Sequence, residues 1–240
     1  MSVALKWFPP SWIQINTQDR LIYIDPAYLK THFKNYPQKI EFSSWPDPID
    51  GLPEEMETAD LILVTHHHKD HCKRVTLDRL RRPETLVIAP GRCARELGED
   101  FKKIEPGNRL NLDYTEIKAV PAYNTAHGRS TRKQHKKGEG VGYLLTLEGR
   151  TIYHAGDTDY LPEMQGFGRV DVALLPVGGT YTMDSGEAVD AAIALNPRVV
   201  IPMHRFDADL QMLADALETK SDIKVLQLDI GETYNLIDRC

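Results

Sequence analysis

The sequence predicts an α/β fold of two packed sheets with helices covering their outer faces. Short apolar runs of strand length recur along all 240 residues, and in each half several strands precede an alternation of helix and strand. No repeat of twenty to fifty residues in register interrupts that order, which excludes a solenoid. With 41% hydrophobic and 27% charged residues, the chain has the composition of a globular protein, and it reads as a single domain over residues 1–240.

The first strands are Val3 to Trp7, Trp12 to Asn16 and Leu21 to Asp25, parted by Pro9-Pro10 and by Thr17 to Arg20, as antiparallel neighbours would be. From about residue 30 to 57 the chain is rich in proline, aromatic and acidic residues. This reads as an irregular insertion, because Phe42, Trp45 and Leu52 need somewhere to pack. Leu61-Ile62-Leu63-Val64 is a short buried strand. Val75 to Arg82 has helical spacing and a stop at Pro83, Thr85 to Ala89 is a strand, and Arg92 to Leu97 is a short helix closed by Gly98. Strands follow near Lys102 to Glu105 and over Tyr114 to Val120. Val141 to Leu147 and Thr151 to His154 form a hairpin across Glu148-Gly149-Arg150. The remainder alternates: strand Val172 to Leu175, a helix from Ser185 or Gly186 to Leu195, strand Val199 to Ile201, helical spacing over Phe206 to Thr219, and a last strand Val225 to Leu228.

The formal net charge of -6 argues against a nucleic-acid partner, which would call for a basic surface. Cys72, Cys93 and Cys240 are too few and too scattered for a disulfide framework or a cysteine-based zinc site, and a reducing cytoplasm fits them best. Met1 to Pro10 lacks the layout of an export signal, and no apolar stretch has the length of a membrane span. We therefore expect a cytoplasmic location and no membrane partner.

Chemistry concentrates in Thr65-His66-His67-His68-Lys69-Asp70-His71, where a buried strand opens into a loop of imidazoles and a carboxylate. Alternate residues leaving a strand point the same way, so His66 and His68 can serve one metal while the turn beyond redirects Asp70 and His71 to a second. An incidental polar turn would need the carboxylate placement to be coincidence. Two later stretches repeat the pattern of a polar residue after an apolar strand: Gly156-Asp157, and His204 after Val199 to Met203. Asp25, before Pro26, reads equally as a turn residue and as a group that orients a metal-bound histidine.

His66-x-His68-x-Asp70-His71, the Gly156-Asp157 pair and the strand-terminal His204 together resemble the metallo-β-lactamase fold superfamily. Ile24-Asp25-Pro26, Pro121-Ala122-Tyr123-Asn124, Gly138 to Tyr143 and His154 to Asp159 are similar to its branch of small single-domain metal-dependent hydrolases, which includes the ascorbate-6-phosphate lactonases. The resemblance implies a four-layer αβ/βα sandwich. It also implies a further histidine ligand before Asp157, for which the sequence offers His135 and His127; His135 is favoured because it leads into the strand from Val141. On this pattern His66, His68 and His135 hold one metal, Asp70, His71 and His204 a second, and Asp157 bridges them. His67 and His154 are left out. Two divalent cations, zinc first with manganese or iron admitted by the same donors, would bridge a hydroxide and leave about one positive charge after Asp70 and Asp157 are counted.

The implied activity is hydrolysis of an ester, lactone or phosphodiester of a small anionic molecule, with Asp70 helping to move the proton. Arg129, Arg132, Lys133, Lys136 and Lys137 crowd the loop around His135, and Arg205 follows His204. Arg205, Lys136 and Tyr123 are the expected substrate contacts, set against a solvated charge run, an Arg205 pair with Asp207 or Asp209, and ordinary aromatic packing. Two other readings stand beside this one. A nuclease or phosphodiesterase acting on nucleic acid is disfavoured by the net charge, and a non-catalytic metal-binding or redox module would be expected to lose one of the seven ligands. A homo-oligomer is compatible with everything above.

Overall fold

The computed structural model describes residues 3–28, 53, 55–206 and 208–236. The expected insertion at about 30–57, with Phe42, Trp45 and Leu52, lies largely outside these residues, as do Asp207 and Cys240. The chain divides into two compact units, Met1–Ile104 with Leu228–Cys240, and Glu105–Gln227. Each carries one seven-stranded mixed sheet.

The first unit contains β1 (Val3–Phe8), β2 (Trp12–Asn16), β3 (Leu21–Ile24), β4 (Ala59–Leu63), β5 (Arg81–Ala89), β6 (Lys102–Lys103) and β14 (Thr233–Leu236), in the order β14-β1-β2-β3-β4-β5-β6. The first three pairings of that order are antiparallel and the last three parallel. Strand β3 and residues 61–63 of β4 read as apolar runs because they are buried inside the sheet. Helices α1 (Arg74–Leu80) and α2 (Ala94–Leu97) belong to the parallel half. A core of Phe8, Trp12, Tyr23, Ile62, Val64, Leu77 and Leu80 includes Cys72 and Cys93, which are free thiols.

The second unit contains β7 (Arg109–Leu112), β8 (Thr115–Ala122), β9 (Gly140–Leu147), β10 (Arg150–His154), β11 (Val172–Pro176), β12 (Val199–Met203) and β13 (Lys224–Val225), ordered β13-β12-β11-β10-β9-β8-β7. Counted from the β7 edge, again three antiparallel pairings are followed by three parallel ones. The β9–β10 loop is Glu148-Gly149 alone, both at positive φ (49° and 72°), the left-handed geometry that lets two residues join twisted strands. Helix α3 (Ser185–Leu195) starts where the Asp184 carboxylate accepts the Glu187 N–H at 2.7 Å, and ends at Asn196 in the left-handed conformation. Among the described residues no helix is long and apolar enough to cross a membrane.

The two mixed sheets with helices agree with the expected fold class, and several boundaries differ. Pro83 does not end a helix; it lies within β5, in the stretch where the register against β4 shifts and the ladder does not need its missing N–H. Helix α4 (Leu210–Lys220) starts four residues later than expected, because Asp209 accepts the Met212 N–H and because Phe206 has φ +42°. The strand expected over Val225 to Leu228 is only β13. The chain ends instead on β14, a short mixed-polarity strand that, like β7, carries too weak an apolar alternation to be read beforehand.

Asp171, at the foot of β11, ties three strands of the second unit together. Its carboxylate accepts from Thr151 N at 3.0 Å and Arg169 at 2.8 Å, its N–H donates to Thr151, and its carbonyl accepts from Arg198 and Val199. Burial alone would raise the carboxyl pKa, but the Thr151 N–H and the Arg169 and Arg150 guanidinium groups outweigh it, and the net shift is downward. A depressed carboxyl stabilises the fold above its unfolded pKa of about 3.9 and loses that contribution as pH falls through the lower folded value. Asp171→Asn is therefore expected to cost about 1–3 kcal/mol in urea denaturation at pH 7, and clearly less at pH 3. An equal cost at both pH values contradicts the assignment.

Candidate metal centre

In the first unit, four candidate ligands leave the carboxyl end of β4, between the ends of two parallel neighbours. Asp25, just past β3, is fully buried at φ +51°. Its Oδ1 accepts from Thr65 N at 2.7 Å, and its Oδ2 accepts from Thr65 Oγ1 at 2.6 Å and from His71 Nδ1 at 2.7 Å. A carboxylate only accepts, so the Thr65 hydroxyl hydrogen is committed to Asp25, and the Thr65 oxygen receives His66 Nδ1–H at 3.0 Å. His66 and His71 are thus both protonated on Nδ1, which leaves Nε2 as the nitrogen each turns toward the other candidate ligands. His66 Nε2 lies 3.0 Å from His68 Nδ1, and His71 Nε2 lies 3.7 Å from Asp70 Oδ2.

In the second unit, Asp157 follows β10, His204 follows β12, and His135 sits on the loop between β8 and β9. All three are buried. Asp157 Oδ2 lies 3.3 Å from His135 Nε2 and 3.3 Å from His204 Nε2, so one carboxylate oxygen stands equally close to two imidazoles. His135 Nδ1 donates to Asn124 Oδ1 at 3.1 Å and Tyr181 O at 3.2 Å, which turns its unprotonated Nε2 toward the carboxylate. Two acceptors facing each other at this distance need a cation between them. A proton could serve only as the second on that ring, leaving a buried imidazolium beside the carboxylate. For ligand bonds of about 2.0–2.2 Å, neighbouring donors on one ion stand roughly 3–3.5 Å apart, so most of these pairs fit a metal as they stand.

The strands and turns that aim these groups are unusually constrained. His154 is buried and accepts Gly156 N–H on Nδ1 at 3.2 Å, which makes it part of the turn ahead of Asp157. His204 and Phe206 both have positive φ (49° and 42°), and their rings stack edge to face at 4.5 Å. Gly178 lies directly against them: a Cβ there would stand 2.5 Å from the Phe206 ring and 2.6 Å from the His204 carbonyl oxygen. His67 packs beside His68, with ring centroids 4.7 Å apart. His127 is exposed.

Most of the loop's cations are already engaged. Lys133 Nζ donates to Gly128 O, Ser130 Oγ and Asp159; Arg129 approaches Asp184 and Asp190; Lys137 pairs with Glu163. Tyr123 donates to Glu163, and Arg205 Nε donates to the Pro202 carbonyl. The Arg132 side chain donates to the Tyr181 hydroxyl at 3.1 Å and lies over its ring face, and Lys136 is exposed. Thr65, Asn124 and Asp159 had no assigned role from sequence, whereas Gly178, with Gly179 and Thr180, reads there as a backbone-approach loop next to the site. Asn124 and Asp159 lay inside the motifs that carried the resemblance, but only the fold shows what they touch.

Comparison with known proteins places this arrangement in a family. Residues 4–204 match the model of the beta-lactamase superfamily domain. A UPF0173 metal-dependent hydrolase of Pyrococcus furiosus is 37% identical over 196 residues, covering 77% of this chain and 84% of its own. Among solved structures, a candidate metal-dependent hydrolase of Parabacteroides distasonis superposes with a TM-score of 0.77 at 29% identity, over 93% of this chain and 91% of that one. Igni18, a metallo hydrolase of Ignicoccus hospitalis, gives 0.74 at 27% identity over the whole of both chains. The chain belongs to the beta-lactamase superfamily, as a metal-dependent hydrolase with histidine and aspartate residues able to bind metal.

Gly178→Ala is expected to cost about 1–3 kcal/mol, because the new methyl displaces either Phe206 or the His204 backbone, and to lower metal retention with it. Gly91→Ala, where a Cβ meets nothing within 4 Å, serves as the matched control. Equal denaturation midpoints and metal content for both variants contradict the packing argument.

Proposed function

We propose that the chain hydrolyses an ester, lactone or phosphodiester of a small anionic molecule, with two divalent cations as cofactors. His66, His68 and His135 serve one ion, Asp70, His71 and His204 the other, and Asp157 is shared. The observation that supports this most is the single Asp157 oxygen held 3.3 Å from the Nε2 atoms of two histidines. Bound divalent ions would supply acidification of a water, toward a pKa of about 7, and positive charge for a developing oxyanion. The donor set of five imidazoles and two carboxylates favours zinc, with manganese or iron next.

The chain's own groups divide the remaining work. Asp25, through Thr65 and directly, keeps His66 and His71 in the orientation and tautomer a metal ligand needs. Asp70, with its side chain 18% exposed, is the carboxylate of the set that solvent reaches most readily, and is suited to take up or pass on a proton. Substrate charge is met by Arg132 and by Lys136 of the expected contacts, which have no carboxylate partner among the described residues. Arg205 and Tyr123 are weaker choices, being bonded to Pro202 and Glu163. A phosphate or carboxylate group on the substrate suits this surface.

Protein purified without chelator is expected to carry close to two metal equivalents by elemental analysis, and fewer after Asp157→Ala or His68→Ala. His135→Ala should lose metal where His127→Ala does not. Full occupancy in both Asp157→Ala and His68→Ala overturns the dinuclear assignment. Turnover of aryl phosphodiesters, aryl esters, lactones and phosphorylated sugar lactones, abolished by chelator and restored by metal, would identify the bond class. Silence on the whole panel with both metals bound favours a non-catalytic metal-binding module.

A further inference from the structure

His135 is carried by a loop rather than by a strand end, and a single amide clasps it. Asn124 and His135, eleven residues apart, meet at three points: Asn124 N donates to His135 O at 2.8 Å, and Asn124 Oδ1 accepts from His135 N at 2.9 Å and from His135 Nδ1 at 3.1 Å. The opposite end of the amide faces acceptors, with Nδ2 donating to Tyr181 O at 2.8 Å and to Ser130 Oγ and Asp159 Oδ1 at 3.2 Å. Turning the amide over would set N–H against N–H at His135 and carbonyl against carboxylate at Asp159. Its orientation is therefore fixed by donor and acceptor accounting. Asp159 is itself immobilised: it is fully buried, accepts Thr125 N–H at 2.8 Å and Lys133 at 3.1 Å, and the Gly128 Cα lies so close that a Cβ there would overlap its carboxylate.

We infer that Asn124 is a positioning residue for His135, setting the tautomer and ring plane that expose Nε2, and that Asp159 sets Asn124 in turn. The segment Asp157-Thr158-Asp159 then brackets one imidazole from both sides: Asp157 faces its Nε2 directly, and Asp159 controls its Nδ1 through the amide. This rests on the reading of His135 as a metal ligand. An alanine at position 124 removes the Asn124 Oδ1 acceptor from His135 Nδ1 and releases the loop's clasp.

The test is titration of metal-free full-length protein with cobalt(II) against a chromophoric chelator, following stepwise affinity and the visible absorption of the bound ion. Asn124→Ala is expected to weaken one binding step by about 10–100-fold and change the cobalt spectrum of that step, leaving the other step near wild type. His135→Ala should lose the same step. Ser130→Ala, which removes a partner of Asn124 without touching His135, should bind as wild type. Asn124→Ser, milder for the loop, should reproduce the loss if Asn124→Ala unfolds. Wild-type binding by both Asn124 variants while His135→Ala loses the step overturns the positioning role, and so does equal weakening of both steps. Unchanged binding by His135→Ala overturns instead the assignment of His135 as a ligand.

Discussion

An imidazole has two ring nitrogens, and a metal ligand must keep one of them free of a proton. In this chain the question is settled for three histidines by what holds the other nitrogen. Thr65 accepts from His66, Asp25 accepts from His71, and Asn124 with the Tyr181 carbonyl accepts from His135. Two of those three devices converge on Asp25, a fully buried residue in a left-handed conformation. The strain of that backbone is the kind that persists only where the surrounding structure enforces it.

Topology explains why the candidate ligands lie where they do. Each sheet runs three antiparallel pairings and then three parallel ones, and the ligand-bearing turns follow parallel strands: β4 with β3 beside it in one unit, β10 and β12 in the other. Side chains beyond the carboxyl ends of neighbouring parallel strands project to the same edge, where such sheets usually bind ligands. Among the described residues the antiparallel half carries one candidate ligand, His135, on a loop, where Asn124 and the Tyr181 carbonyl hold it. A strand end fixes direction through its ladder, whereas a loop has to be fixed by side chains, here Asn124, Lys133 and Asp159.

Much of this was legible in the sequence. The buried strand before His66, the glycine before Asp157 and the apolar run before His204 announce both a fold and the ends of its strands, because apolar continuity and a sudden polar change are local signals. The short strands β7 and β14 were not legible, since their pairing partners rather than their own patterns make them strands. Pro83 misled for the same reason: whether a proline breaks an element depends on whether its N–H was needed, and the register shift beside it is a tertiary fact. The roles of Asn124 and Gly178 are likewise set by residues remote in the chain, so single-sequence reading could place them in motifs without saying what they do. The basic loop was open in the sequence, its charge reading equally as substrate binding or as a solvated run; in the fold Arg129, Lys133 and Lys137 approach acids of their own unit.

The claim that fixed tautomers prepare the ligand histidines is tested most directly by long-range proton–nitrogen correlation spectra of the metal-free protein at neutral pH. The account predicts that Nδ1 of His66, His71 and His135 carries a proton before any metal is added, because each faces an acceptor. Averaging between tautomers, or an unprotonated Nδ1 in these three rings, would contradict it.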